Sequence, residues 1–310
     1  MESGKENKDL IYAIDVYDVL SMVWRKKLIV TLIVTAFSIL SVLYALSLQN
    51  QYTSSALVAI SSDETQNSSL SQYAGLASMV GVNLPSQSSE NKIDLAIETL
   101  KSKDFFRHLL NNYNFLLRDI YASKSYDMRN NKIIYDDRIY DENNDSWVRK
   151  AKFPLSAQPS YIESHEHFLE KNLRISNDVD TGYITISIEH FSPIFAKNLV
   201  DLMISELNNQ IRKRDKEEAN EAVEYLLEER NNNPVMSVTE AIDSLIESQL
   251  RTIMLTEIRD DYIIKIIDSA HLPEKKSKPS RAIICIIGFF LGLFVAATYI
   301  IFNHLRSIKK

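Results

Sequence analysis

One cysteine, six glycines and two tryptophans occur in 310 residues. The lone Cys285 excludes an intramolecular disulfide, yet a chain this long can build a core without such staples, so an oxidising compartment stays open. Six glycines leave little material for a phosphate-cradling loop, and no G-x-x-x-x-G-K-[ST] run is present. A basic excess is missing as well. Lys and Arg number 35 against 41 Asp and Glu, a formal charge of -6, which argues against a nucleic-acid binder with its basic face. With 45% hydrophobic and 25% charged residues the composition is that of an ordinary folded protein, not of a disordered one.

Charge is also missing locally, and there the absence is informative. Leu28–Leu48 and Ala282–Phe302 each run 21 residues without Asp, Glu, Lys or Arg. As helices each would be about 31 Å long, enough to cross a hydrocarbon core of about 30 Å. A helix buried in a soluble core rarely lacks a polar face for this long, so both are read as transmembrane helices. The first exceeds the h-region of a cleaved signal peptide, about 7–15 residues, and 27 residues precede it; it is expected to stay as an anchor.

Arg25, Lys26 and Lys27 stand directly before the first span, with Lys5 and Lys8 further back, and no Lys or Arg follows until Lys92. By the positive-inside rule these topology-setting residues place the amino terminus in the cytoplasm, and a second span returns the carboxyl terminus there. Arg306, Lys309 and Lys310 agree; Lys275, Lys276, Lys278 and Arg281 run against it, but the first span usually dominates. The expected organisation is a cytoplasmic amphipathic segment (1–27), a span (28–48), a periplasmic α+β domain (49–281), a second span (282–302) and a cytoplasmic tail (303–310). The middle holds 27 basic (35 less 5 and 3) and 36 acidic residues (41 less 5), a net charge of -9, which favours neither anionic lipid nor nucleic acid.

Within the middle, Gln51–Ile60 alternates and is rich in β-branched residues, a strand. Leu70–Val80 reads as a short helix, and one helix is expected from Ser89 or Glu90 to about Tyr113, with Ile93, Ile97, Leu100 and Phe105 on its apolar face. Asn114–Pro159 lacks periodicity and is expected to be mostly extended loop; its Tyr121, Tyr126, Tyr135, Tyr140 and Trp147 could stack on sugar rings or simply anchor a surface excursion. Asn172–Ser176 and Tyr183–His190 form a hairpin, with Ile184, Ile186 and Ile188 on one face and Thr185, Ser187 and Glu189 on the other. Ser192-Pro193 starts a helix that runs from about 193 to 230. After Asn231-Asn232-Asn233-Pro234 a second covers about 237–259, and Tyr262–Ala270 is a strand. The fold expected is thus a small mixed sheet near the membrane with long protruding helices. RKRDKEEANE in the first of these is almost wholly polar, as in a solvated arm.

These features together resemble the polysaccharide co-polymerases, and within them the Wzz-type O-antigen chain-length determinants. IDVYDVLSMVWRKK (Ile14–Lys27) is similar to the family's amphipathic segment and basic stop. YTSSALVAI (Tyr52–Ile60) matches its first strand and AGLASMVGVNLP (Ala74–Pro85) a small-residue helix and turn; YDDRIYDENNDSWVR and TGYITISIEHFSP also look like segments of its members. In LPEKKSKPSR, Pro273 and Pro279 stand where the family spaces prolines before the second span, although Lys278 occupies a position that often holds serine. Gly288 and Gly292 form its G-x-x-x-G. The resemblance implies a non-catalytic inner-membrane homo-oligomer that works with a separate O-antigen polymerase and acts on growing polysaccharide, without cofactor or metal.

The residues themselves offer little chemistry. His165-Glu166-His167 would present both imidazoles together only on a strand. Asp260-Asp261 and Glu228-Glu229 are of the kind found on solvated faces, and Cys285 lies inside a span. Gly288-x-x-x-Gly292 would let another helix approach closely in lipid, and Pro273 and Pro279 separate strand from span. Eight residues after Phe302 are too few for a kinase domain. The alternatives in view are a co-polymerase for capsule or exopolysaccharide, a periplasmic sensor ectodomain, which needs an output module, and a periplasmic hydrolase, which needs a catalytic constellation.

Overall fold

A computed structural model describes residues 26–61, 89–232 and 236–308. The expected helix at 70–80, Arg25 and part of the 231–234 turn lie outside them. Along the chain run α1 (Lys27–Ser47), β1 (Tyr52–Ile60), α2 (Ser89–Lys101), α3 (Lys103–Asn112), α4 (Phe115–Tyr121), β2 (Ser123–Asp127) and β3 (Lys132–Tyr135). Then follow β4 (Tyr140–Asp141), β5 (Ser146–Trp147), α5 (Tyr161–Lys171), β6 (Leu173–Asp178), β7 (Tyr183–His190), α6 (Pro193–Asn232), α7 (Met236–Ile258), β8 (Ile264–Asp268) and α8 (Arg281–Ile308). Residues 50–277 form one unit; 1–49 with 278–310 form another, in which α1 packs on α8.

The larger unit is built on a four-stranded sheet of order β6-β7-β1-β8. Every pairing is antiparallel, so the sheet is not mixed as the sequence reading had it. The hairpin β6–β7 fixes the direction of one pair, and β1 and β8 each enter against their neighbour's direction. Alternation works as expected: Ala56 and Val58 of β1 stand opposite Ile186 and Ile184 of β7, and all four are buried. The outer set does not hold to its end, since Glu189 is buried.

Helix α6 supplies the other half of the core. Phe195, Leu199, Met203, Leu207 and Ile211 recur every four residues and are buried, one stripe facing the sheet. Ser192 starts the helix as expected, its Oγ accepting from Phe195 N at 3.2 Å. Past Ile211 only Ala219 is buried in α6. There the helix, about 60 Å long at 1.5 Å per residue, pairs with α7 through Arg230–Asp243 (2.7 Å) and Lys216–Glu257. Asn208 fastens the helix to the start of β8. Its Nδ2 donates to Ile264 O (3.0 Å), and its Oδ1 accepts from Ile263 N (2.9 Å) and Ile264 N (3.0 Å). An apolar residue there would strand those buried groups, at about 1–3 kcal/mol each.

The single helix expected over 89–113 is two. Ser102 adopts extended backbone and its Oγ accepts from Phe105 N at 3.1 Å, so a serine that pattern reading passes through ends one helix and caps the next. A similar cap opens α5, where Ser160 Oγ accepts from Glu163 N at 3.2 Å.

His190 closes β7 in a fully buried position. Its Nδ1 accepts from Ser192 N at 3.0 Å, while Nε2 lies 2.9 Å from Asp119 O and 3.0 Å from Ser123 Oγ. This set suits the neutral ring with its proton on Nε2. Burial lowers the pKa to about 4, against the opposing pull of the Asp119 carbonyl. Above about 6.5 the ring is neutral folded or unfolded, and its contribution is complete. As pH falls from about 6.5 towards 4 the unfolded chain gains a proton that the native state refuses, so stability drops, by up to about 3 kcal/mol. His167, also lowered by burial, acts in the same direction. Thermal unfolding of the detergent-solubilised protein should therefore show a midpoint that falls between pH 6.5 and 4.5, and His190→Gln should flatten that slope. An unchanged slope in the variant would overturn the assignment.

Candidate functional site

The two apolar helices are joined by one face. Gly288, Gly292, Ala296 and Ile300 of α8 recur every four residues and are all buried, in a helix whose other positions are mostly exposed. A Cβ on Gly288 would collide with Ser41 of α1; one on Gly292 would lie 2.9 Å from Phe37 Cβ and 3.2 Å from Val34 Cα. The glycines thus bring the two backbones together, as small residues do where lipid removes any hydrophobic drive for association. Ala296 extends the stripe and was not singled out in the sequence, where one more alanine in an apolar run carries no signal. Lys26 precedes α1 and Lys27 is its first residue. Cys285 is partly exposed.

Pro273 and Pro279 lie between β8 and α8, and the Lys278–Pro279 peptide is cis. Between them Ser277 is pinned to the start of β1. Its N donates to Gln51 O at 2.8 Å, its Oγ to the same oxygen at 3.0 Å, and Thr53 Oγ1 donates to Ser277 Oγ at 2.8 Å. The prolines restrict the backbone on either side of this anchor, a serine that no local pattern marks out.

The histidine pair falls on helix α5. His165 is buried with Nε2 2.7 Å from Lys101 O, and its ring lies edge-on to Phe106. His167 packs against the Tyr121 ring at 4.9 Å. Both are committed to packing. Asp260, Asp261 and Glu228 are exposed, and among the described residues no three His, Cys, Asp or Glu side chains gather as metal ligands would.

The region expected to be extended loop is an ordered lobe. Helix α4 is followed by two hairpins, β2–β3 and β4–β5, and both turns use the same device. Asp127 Oδ1 accepts from Arg129 N at 2.9 Å and Asp141 Oδ1 from Asn143 N at 2.9 Å, with positive φ at Asn131 (54°) and Asp145 (48°). Asp and Asn favour such side-chain-closed turns and tolerate positive φ, a signal present in DMRNN and DENND that reading for hydrophobic period misses. Under the hairpins Tyr135 and Tyr140 are buried, with the Arg118 guanidinium over both rings at 5.2 and 5.7 Å. Tyr135 Oη donates to Asp119 Oδ1 at 2.7 Å; burial and this carboxylate raise the Tyr135 pKa. Trp147 meets Tyr140 edge-on at 5.3 Å. Arg149 clamps the lobe to α5 through Glu163, whose pKa it lowers, and through Ser156 O at 2.9 Å. Tyr121 joins the clamp, donating to Glu163 at 2.6 Å. Most of the five aromatics therefore anchor the lobe.

Two apolar helices long enough to cross a membrane bracket an α+β unit that carries a long helical pair. Residues 13–113 match the family described as Wzz, chain length determinant protein. Over that third of its length the chain is similar to chain length determinants, and the resemblance drawn from the residues is borne out there. No curated protein matches. Among solved structures, a "full-length bacterial polysaccharide co-polymerase" is similar at 14% identity and TM-score 0.41, over 94% of this chain and 99% of that one. A "fragment of WzzB, polysaccharide co-polymerase from Salmonella Typhimurium" is similar at 12% identity and TM-score 0.30, over 74% and 100%.

The helix contact makes a reciprocal prediction. Gly288→Ala should destabilise the protein by about 1–3 kcal/mol through overpacking, read as a lower thermal midpoint in detergent. Ser41→Gly, which removes the obstructing Cβ, should restore much of the loss in the double variant. Independent, additive effects would show that the two helices do not meet at these residues.

Proposed function

We propose that the protein is a non-catalytic regulator of lipopolysaccharide O-antigen chain length, acting as an inner-membrane homo-oligomer with a separate polymerase. The match of residues 13–113 to chain length determinants is the observation that carries this reading. In it, residues 49–281 stand in the periplasm and both termini face the cytoplasm, supported by the lysine and arginine asymmetry across α1. Arg25, Lys26 and Lys27 set that topology, Gly288 and Gly292 hold the spans together, and Pro273 and Pro279 set the direction in which the chain enters the second span. Oligomerisation is supported by Leu227, Leu245, Leu250 and Met254, apolar residues of the α6–α7 pair that the single chain leaves exposed. Exposed apolar side chains gathered on one helical pair suit a contact surface, and a second copy is the partner this family of oligomers implies. Members that serve capsule or exopolysaccharide would carry the same architecture, and the glycan affected separates the two.

Two experiments test the reading. Deletion of the gene should turn a clustered distribution of lipopolysaccharide lengths on a silver-stained gel into an unregulated ladder, restored by complementation. An unchanged ladder with shortened or lost capsular or secreted polysaccharide would transfer the function to that glycan; no change in either would reject chain-length control. For topology, Glu228→Cys in a Cys285→Ser background should react with a membrane-impermeant maleimide in intact spheroplasts. Reaction only after lysis would invert the orientation.

A further inference from the structure

The lobe holds a cavity of about 520 Å³ between α4 and the β4–β5 hairpin, within the range of about 300–1,000 Å³ typical of small-molecule sites. Its lining falls into two sets. Arg118 and Tyr140 belong to the anchoring cluster already described, and Arg118 also lies 3.7 Å from the Asp145 carboxylate. These groups are occupied with one another, and their charges offset.

The second set lies at the surface. Asn114, Trp147 and Gln158 also line the cavity; Asn114 and Gln158 are exposed and Trp147 is half-buried, so the two amides face solvent and can exchange water for the hydroxyls of a ligand. Asn114 precedes α4 without capping it, so its side chain performs none of the local tasks that usually explain such a residue. Phe115 beside it is 46% exposed, a large aromatic ring held only edge-on by Tyr113 at 6.2 Å. The cavity thus combines two aromatic surfaces, Phe115 and Trp147, with amides that can each donate and accept. A sugar ring matches that combination, since its C–H face is apolar and its rim is a belt of hydroxyls that both donate and accept.

We propose that this cavity is a saccharide-binding site that takes a short uncharged stretch of glycan, stacked on Phe115 and Trp147 and hydrogen-bonded by Asn114 and Gln158. The choice of glycan as ligand rests on the chain-length reading; the location of the site rests on the lobe alone. In that reading the site lets the growing polymer be held by the lobe.

The chain's two tryptophans, Trp24 and Trp147, make a direct test available. In full-length Trp24→Phe protein in detergent, Trp147 is the only indole. Polysaccharide released by mild acid from the surface of cells carrying the gene should change its emission saturably. Phe115→Ala and Gln158→Ala, each checked for an unchanged thermal midpoint, should weaken the half-saturation concentration at least tenfold. No saturable change, or an equal one in both variants, would overturn the site. The same variants returned to the deletion strain keep the two readings apart. If deletion alters no glycan, chain-length control fails. If deletion alters the glycan but both variants bind and regulate as the parent does, the site alone fails.

Discussion

The antiparallel pairing of β1 with β8 is the constraint on which residues 50–277 depend. These strands lie some two hundred residues apart, yet Val58 stands opposite Ile266 and Ile60 opposite Ile264. Closing a loop of that length costs conformational entropy that no single strand contact returns. The return comes from the layer beneath: the α6 stripe covers β1 and β7, and Asn208 holds the first residues of β8 by three hydrogen bonds. Ser277, pinned on Gln51 and Thr53, and Ser54, donating to His271 O at 2.8 Å, continue the same seam beyond the strand. The segment after the first apolar helix and the segment before the second are thereby neighbours.

A different physics joins α1 and α8. In water, burial of apolar surface would suffice; in lipid it gives nothing, and close approach of backbones has to supply the association through dispersion. The residues at the contact are accordingly small on one side, Gly288, Gly292 and Ala296, and shaped on the other, Val34, Phe37 and Ser41. The two halves of the molecule therefore follow opposite rules for side-chain size. Large side chains such as Phe105, Phe106 and Phe168 fill the core of residues 50–277, while the helix pair is held by what is missing.

Much of this was legible in the sequence because period and absence are local signals. The apolar helices, β1, the β6–β7 hairpin, the Ser192-Pro193 start and both arm helices stand within a few residues of where pattern placed them. Three things were not legible. The break at Ser102 depends on one hydroxyl overriding a continuous apolar stripe. The direction of the strands depends on partners far away in the chain. The lobe of residues 115–147 is ordered by short-range Asx turns and an arginine–tyrosine cluster, Arg118 with Tyr135 and Tyr140, so it shows neither helical nor strand periodicity. Its aromatics could be read as anchors or as sugar platforms, and the structure divides them: Tyr135 and Tyr140 are buried below, while Trp147 borders the cavity.

The same division explains why the site needed the fold to be seen. A catalytic centre announces itself in sequence through residue types that are costly to place, such as paired histidines or a glycine-rich loop; here His165 and His167 proved to be packing residues. A surface that holds a polymer needs only amides and rings, which are common everywhere. What marks Asn114, Phe115, Trp147 and Gln158 is that they meet at one cavity, whereas their neighbours Arg118, Tyr121 and Arg149 are held in ion pairs and hydrogen bonds. Asn114 and Gln158 are exposed and bonded by water, so their placement costs the fold little. What sets the place apart is that exposed amides and rings meet at one concavity, the combination from which small-molecule sites are built.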